Sequence, residues 1–227
     1  MLSIIVPTYN ERDNIAELSR RIFSALEKAG IHGELIIIDD GSPDGTGDYA
    51  ESLKGTYNIK VIQRGKKLGL ASAVIEGFNT ASYDVLAVMD ADLSHPPEVL
   101  PVMFDSIKSG QAQFVIGSRL VPGGGSTAWP WYRRFVSWVA RIIARPLTPV
   151  RDSTSGFFML KRSVIDGVEL NTLGFKICLE ILAKGKYDRA AEIPIIFVER
   201  GKGRSKLGPG EVLEYLKQLM YLYKRRK

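Results

Sequence analysis

Two aspartates one residue apart, Asp90 and Asp92, stand at the end of an oily run in "VLAVMDADLSHPP" (85–97). Carboxylates that close repel each other, and holding them out of water is costly unless a cation lies between them. The pattern suits Mg2+ or Mn2+, hard ions that take oxygen ligands and keep positions open for substrate phosphates. The competing reading is a turn whose aspartates cap the helix beginning near Pro96. A second acidic pair, Asp39 and Asp40, ends another apolar run in "IIIDDGSPDGT" (36–46). Carboxylates there suit hydrogen bonds from a ribose or from the ring N–H groups of a base, although the pair alone reads as a turn and a helix cap. Two acidic strand ends, with excess positive charge later in the chain, point together to a nucleotide diphosphate bridged by a metal.

Other chemistries find little support. There is no G-x-x-x-x-G-K-[ST] phosphate loop, and "GKKLG" is not one; no G-x-G-x-x-G follows the first apolar run; no G-x-S-x-G is present. His32 and His95 are the only histidines, and His95, before Pro-Pro, reads as structural. Cys178 is the only cysteine, which excludes an internal disulfide and a cysteine-based zinc site; its apolar neighbours predict a buried thiol without chemistry. The net charge of +6 suits a phosphate-rich ligand or an anionic membrane without deciding between them.

The elements that must position these residues follow from periodicity. Apolar runs at 2–7, 34–39, 59–64, 84–90 and 113–118 read as strands buried on both faces, each followed by helix-like sequence. Helical spacing of Ile15, Leu18, Ile22 and Leu26 ends at Gly30, and 96–110 runs similarly to Gly110. Alternation of strand and helix predicts an α/β fold with a mainly parallel sheet covered on both sides, in one domain, as 227 residues with 45% apolar content allow. Ligands of such sheets bind beyond the carboxyl ends of the strands. The loops there are "TYNER", "DDGSPDGT", "RGKKLG" and "DADLSHPP", expected to converge on one crevice. Beyond Arg119 the sequence predicts a helix from about 129 to 145, strands in "SGFFML" and "AEIPIIFVER", a helix in "FKICLEILAKG" and a last helix ending in KRRK.

"IVPTYNERDNI", "IIIDDGSPDGT", "KKLGLASAVIEGF", "MDADLSHPP", "GSR", "SGFF", "GFKICLEIL" and "RGKGRSKLG" occur in that order. The set resembles the dolichol-phosphate mannose synthases, polyprenol-phosphate mannosyltransferases within the family-2 glycosyltransferases of GT-A (Rossmann-like) fold, over nearly the whole chain. The resemblance implies inverting transfer of mannose from GDP-mannose to dolichyl phosphate at the cytosolic face of a membrane, with Mg2+ or Mn2+. It implies a nucleotide-binding half, 1–118, and an acceptor-binding half, 119–227. Position by position it implies nucleotide and donor contacts at Pro7, Tyr9, Glu11, Ile38, Asp39, Asp40, Asp90, Ala91, Asp92, Arg119, Arg200 and Lys206. It places the metal at Asp90 and Asp92, the acceptor phosphate at Arg119, Arg133, Ser137, Arg200 and Ser205, and the catalytic roles at Asp92, Arg133 and Arg200. Some relatives have glutamine where Ser94 stands. Lys176 and Glu180 fall in the "GFK...E" helix, where many family-2 enzymes keep a base near Glu180; a phosphate acceptor is already anionic near pH 7 and needs none.

"WPWYRRFVSWVARIIARPLTP" (129–149) carries more apolar and aromatic surface than a solvated helix needs, with arginines interspersed. It predicts an amphipathic interface helix over about 129–146, lying at headgroup depth or packed on the sheet, one face available for each. No run reaches the length of a membrane span and no signal peptide opens the chain, so it reads as cytoplasmic and peripheral, with an anchor supplied by further helices or a small membrane subunit and with no role for nucleic acid. Three alternatives remain open: another donor such as UDP-glucose, a sugar-phosphate nucleotidylyltransferase and a non-catalytic membrane adaptor.

Overall fold

Branched and aromatic side chains dominate the apolar runs, so each can fill a sheet face or two. The computed structural model describes residues 1–127, 131–171, 176–198 and 209–224. The strands of the main sheet are β1 (Leu2–Thr8), β2 (Gly33–Asp39), β3 (Ile59–Gln63), β4 (Val85–Val88), β5 (Phe114–Ser118), β7 (Phe158–Lys161) and β8 (Ala190–Pro194), in the order β3-β2-β1-β4-β7-β5-β8. β3, β2, β1 and β4 are mutually parallel, so their carboxyl ends share one edge. β7 enters antiparallel between β4 and β5. A two-stranded ribbon pairs β6 (Gly125–Ser126) with β9 (Ile196–Phe197).

Helices α1 (Arg12–Lys28), α2 (Thr46–Ser52) and α4 (Leu100–Lys108) cover one face, placing Ile15, Leu18, Ile22, Ala50, Met103 and Ile107 in one core. The other core receives Val74 and Phe78 of α3 (Leu70–Thr80) with Ile177 and Ile181 of α6 (Ile177–Lys184). A third layer packs α5 (Trp131–Ala144) and α7 (Pro209–Lys224) against Leu179 of α6. Tyr215 donates to the Ala140 carbonyl at 2.8 Å and Tyr223 to that of Ile143, so two phenols pin α7 to α5. Thus Ala140 and Ala144, among the described residues of α5, pack with Leu179 of α6 and with Tyr215, Leu219 and Leu222 of α7, while Trp138, Ile142 and Ile143 of α5 and Leu216, Met220 and Tyr223 of α7 remain exposed.

Some predicted strands change shape for identifiable reasons. The run 59–64 forms β3 at the sheet edge and is only half-buried, not buried on both faces. "SGFFML" starts its strand only at Phe158, because the Ser155 hydroxyl bonds the Gly117 carbonyl at 2.8 Å and accepts from the Phe157 N–H, making a turn first. "AEIPIIFVER" divides after Pro194: the Ile195 N–H still reaches Ser118 on the main sheet, but its carbonyl accepts from Gly125 and carries the chain into the ribbon. At the opposite, amino edge the buried Glu34 accepts from Ser3 Oγ at 2.7 Å and the Ser82 N–H at 2.6 Å, with Lys60 Nζ at 2.8 Å.

Candidate active site

The loops after β1, β2 and β3 are stitched together before they meet anything else. Asn10 N–H donates to Ser42 Oγ and Glu11 N–H to Thr46 Oγ1, each at 2.9 Å, joining "TYNER" to "DDGSPDGT". Gly41, at φ +69°, lies so near the third loop that a Cβ would come within 2.8 Å of the Gly65 carbonyl carbon, which is why glycine is required there. Lys67 then sits 4.5 Å over the Tyr9 ring, a cation–π contact that closes the wall.

Within that wall the second acidic pair already has partners. Asp39 accepts from Thr8 Oγ1 at 2.9 Å and from the N–H and hydroxyl of Ser42, the N–H also at 2.9 Å. Asp40 pairs with Arg64 and accepts from the N–H groups of Leu68 and Gly69 at 3.2 and 2.9 Å. Both aspartates are buried, so their first work is to shape the loops. Pro7 faces Ile38 in the β1–β2 register; Ile38 is fully buried, with its side chain in the core and its carbonyl accepting from Thr8 Oγ1 at 3.4 Å, so it lies behind the wall rather than on its surface. Tyr9 and Glu11 line the partly exposed first loop.

The acidic turn after β4 is built with strain. Leu93 adopts φ +62°, a left-handed conformation that is costly for a bulky side chain and persists where packing dictates it. Its side chain packs on the core, and the Ser94 N–H donates to Asp92 Oδ1 at 3.0 Å. His95 is buried between Phe157, stacked at 5.4 Å, and Phe197, edge-on at 5.3 Å. Its Nδ1 accepts from the Asp90 N–H and lies 3.7 Å from Asp90 Oδ2. Desolvation lowers the His95 pKa against the opposing pull of Asp90 and Asp92, so the ring is neutral near pH 7 and does not compete with a metal for the carboxylates. Ala91 contributes backbone only, its methyl being in the core. Gly156 packs so tightly behind Asp90 that a Cβ would fall 2.8 Å from Asp90 Oδ2.

These residues fit a hard divalent ion. Asp90 and Asp92 supply anionic oxygens on one turn, and Ser94 Oγ is buried without a hydrogen-bond partner beside them. Among the described residues no group of three or more His, Cys, Asp or Glu side chains is placed to hold a metal, so two carboxylates leave coordination positions for ligand oxygens.

Arg119, at the end of β5, is held by a residue that local sequence does not single out. Its N–H and Nε donate to Asp152 Oδ2 at 3.0 and 2.8 Å, and its Nη2 to Oδ1 at 2.7 Å. Burial pushes Asp152 up, but the guanidinium outweighs it and holds the carboxyl below the usual aspartate range. Arg119 responds in the opposite sense: burial pulls it down and Asp152 raises it above its ordinary value. Its guanidinium also lies 5.5 Å from the Phe197 ring. Asp152 sits in "RDSTSG", a stretch outside the motifs singled out in the sequence, and only its spatial pairing reveals it.

Glu180 is buried within α6, with Oε1 accepting from Lys184 Nζ at 2.6 Å and the Asn171 N–H at 2.8 Å. Cys178 is a buried thiol whose pKa burial raises well above normal, in keeping with an inert core position. Arg200, Ser205 and Lys206 lie outside the described residues, as do the side chains of Arg133 and Ser137 in α5.

Sequence and structure comparisons give this architecture a family. Residues 3–168 match glycosyl transferase family 2, and the chain belongs to that family, with a single GT-A domain. It is 48% identical over 227 residues to a dolichol-phosphate mannosyltransferase of Pyrococcus furiosus, the alignment covering 98% of this chain and 64% of that protein. It is 41% identical to the dolichol-phosphate mannosyltransferase of Saccharomyces cerevisiae, covering 97% of this chain and 86% of the relative. Among solved structures it resembles a glucosyl-3-phosphoglycerate synthase of M. tuberculosis, with TM-score 0.69, 19% identity and coverage of 100% and 80% of the two chains. A mannosyltransferase from Pyrobaculum calidifontis solved with GDP-mannose and Mn2+ gives TM-score 0.65 at 18% identity, covering 97% and 64%.

Proposed function

We propose that this glycosyltransferase moves mannose from GDP-mannose to dolichyl or another polyprenyl phosphate, with inversion, while lying on the cytoplasmic face of a membrane. The observation that carries the reading is the alignment with relatives named for that reaction, 41% identical over 97% of this chain in the yeast case. Residues 1–118 form the nucleotide half and 119–227 the acceptor half. Pro7, Tyr9 and Glu11 border the base and ribose, backed by Ile38, in a wall shaped by Asp39 and Asp40. Asp90 and Asp92, flanking Ala91, would hold Mg2+ or Mn2+ at the donor-binding edge of the sheet. When bound, the ion supplies charge that stabilises the departing diphosphate.

The chain's own residues handle the remaining charge. Acceptor phosphate and donor diphosphate repel, and Arg119, fixed by Asp152, offers an always-charged, preorganised guanidinium between them. Arg133 and Arg200 share that task, with Ser137 and Ser205 on the acceptor phosphate and Lys206 on the donor. The phosphate oxygen attacks the anomeric carbon as the diphosphate leaves from the opposite face, and no general base is required. Glu180, engaged by Lys184 and Asn171, stays outside the chemistry.

The exposed face shared by α5 and α7 supports contact with lipid. Trp138, Ile142, Ile143, Leu216, Met220 and Tyr223 present apolar and aromatic surface flanked by Arg145, Lys217 and Lys224. Among the described residues no helix is long and apolar enough to cross a membrane. Assays with dolichyl phosphate and GDP-mannose, UDP-glucose or UDP-N-acetylglucosamine test the donor: preference for a UDP-sugar rejects mannose transfer. Anionic liposomes should pellet the protein, salt should weaken that binding, and Trp138→Ser with Met220→Ser should impair transfer to the long lipid more than to a short prenyl phosphate.

A further inference from the structure

The stretch from β8 into β9 reaches Arg119 from two sides. Ala191 and Ile193 of β8 pack into the core that α1, α2 and α4 cover, so Glu192 between them points from the opposite face of this edge strand. Its carboxylate takes two successive backbone amides: the Arg151 N–H donates to Oε2 at 2.9 Å and the Asp152 N–H to Oε1 at 3.0 Å. Bonds to an ionised acceptor are stronger than neutral ones, and a carboxylate that spends one oxygen on each of two neighbouring amides fixes the backbone between them. The Asp152 side chain then gives both of its oxygens to Arg119, to Nε at 2.8 Å and Nη2 at 2.7 Å. Beyond Asp152 the same segment is tied again, the Ser155 hydroxyl bonding the Gly117 carbonyl of β5 at 2.8 Å. Further along the Glu192 strand, the Ile195 N–H donates to the Ser118 carbonyl, next to Arg119, at 2.9 Å, and the Phe197 ring lies 5.5 Å from the guanidinium. The edge of the guanidinium is therefore set through Glu192 and Asp152, and its other neighbour through Phe197. A small shift of the 151–152 turn moves the Asp152 oxygens, and the guanidinium follows them.

We infer that Glu192 is a positioning residue for the transfer reaction: it fixes the turn that presents Asp152, and through Asp152 it sets the direction of the Arg119 guanidinium. The role rests on the proposed reaction, in which Arg119 stands between the phosphates of donor and acceptor. The test measures kcat/KM for a short soluble prenyl phosphate, with GDP-mannose and Mn2+, in the full chain, Glu192→Gln, Arg119→Gln and the double variant. Glutamine keeps the shape of the side chain but meets the two amides with one acceptor oxygen and one NH2, so the turn must shift. With Arg119 present, kcat/KM should fall about 10-fold, the consequence of misplacing a charged group by part of an ångström. In the Arg119→Gln background the same change should cost less than about twofold, within the scatter of such cycles. The Arg119 Nε–H NMR resonance, identified by its loss in Arg119→Gln, should move in Glu192→Gln. Both that resonance and kcat/KM should hold in Glu34→Gln, which weakens the fold at the opposite sheet edge. A comparable loss in both Arg119 backgrounds, a loss within about twofold when Arg119 is present, or a resonance that stays in place or moves equally in Glu34→Gln each overturns the role. If Glu192→Gln does not fold, Glu192→Asp, which draws both oxygens back by a methylene, makes the same comparison with the same outcomes. A wild-type chain inactive with these substrates removes the proposed reaction and the role with it, whereas an active chain indifferent to Glu192→Gln removes the role alone.

Discussion

Replacing Asp152 by asparagine tests whether the Arg119 guanidinium is held by charge or merely by shape. The Asp152 carboxylate is fully buried and accepts from three Arg119 donors, while the Arg119 side chain is 13% exposed. Truncating one partner of a buried pair typically costs about 3–5 kcal/mol because it strands the other charge. Asparagine keeps the shape and one acceptor oxygen, and Arg119 retains some contact with water, so we expect a loss of about 2 kcal/mol. For a chain of this size that corresponds to a melting temperature lower by about 4–8 °C near pH 7. The pH dependence fixes the cause. The folded-state pKa of Asp152 is depressed, so its stabilisation is present above the ordinary aspartate value of about 4 and is lost as pH falls through the folded-state value. The gap in melting temperature between wild type and Asp152→Asn should therefore stay constant from pH 7 to about 4 and narrow below that. Equal melting temperatures at neutral pH, or a gap that widens in acid, would refute the reasoning.

Asp92→Asn should leave the melting temperature unchanged or slightly raised and reduce transfer at least ~100-fold, the scale for losing one electrostatic stabiliser; near-normal turnover of the folded variant removes the metal role. Gly156→Ala drives a Cβ to 2.8 Å from Asp90 Oδ2 and must turn that carboxylate aside. Mn2+ affinity should fall about 10-fold with little change in stability, and a wild-type metal titration would show that Asp90 has room to spare. Glu34→Gln should lower stability by about 1–2 kcal/mol, mostly from its buried hydrogen bonds, since its Lys60 partner is 41% exposed and contributes little; activity per folded molecule should hold, because the cluster lies at the opposite sheet edge.

What the sequence made legible is what local patterning can carry. Continuous apolar runs marked the strands, and carboxylates at their ends marked the edge where the loops gather. Partners distant in sequence stayed hidden. Asp152 meets Arg119 across 33 residues and Arg64 meets Asp40 across 24, and neither pairing leaves a periodic trace. Arg64 looked like part of a cationic loop, whereas its side chain is 3% exposed and clamps Asp40. The direction of β7 was equally silent, because an apolar run reads the same in a parallel or an antiparallel neighbour. The amphipathic 129–146 segment was recognised as a helix with two usable faces; that its inner face would meet α7 depended on tyrosines 75 and 80 residues away.

Phe197 connects these parts. His95, which braces Asp90, meets its ring edge-on at 5.3 Å, and the Arg119 guanidinium lies 5.5 Å from the same ring. One residue later the Val198 N–H donates to the Ser94 carbonyl at 3.1 Å, so the strand leading into "RGKGRSKLG" is fastened to the acidic turn itself. On the far side of that sequence the chain resumes as α7, pinned to α5 and joined through Gln218 to the Lys176 carbonyl. The acidic turn, the buried arginine and the apolar α5–α7 face are thus linked through short, hydrogen-bonded steps rather than through a free linker. On the proposed function, whose acceptor has a charged head and an insoluble tail, that linkage matters: a surface meeting the tail would have to stand at a fixed offset from the charges gripping the head, because a misplacement of about 1 Å between reacting groups can cost ~100-fold in rate.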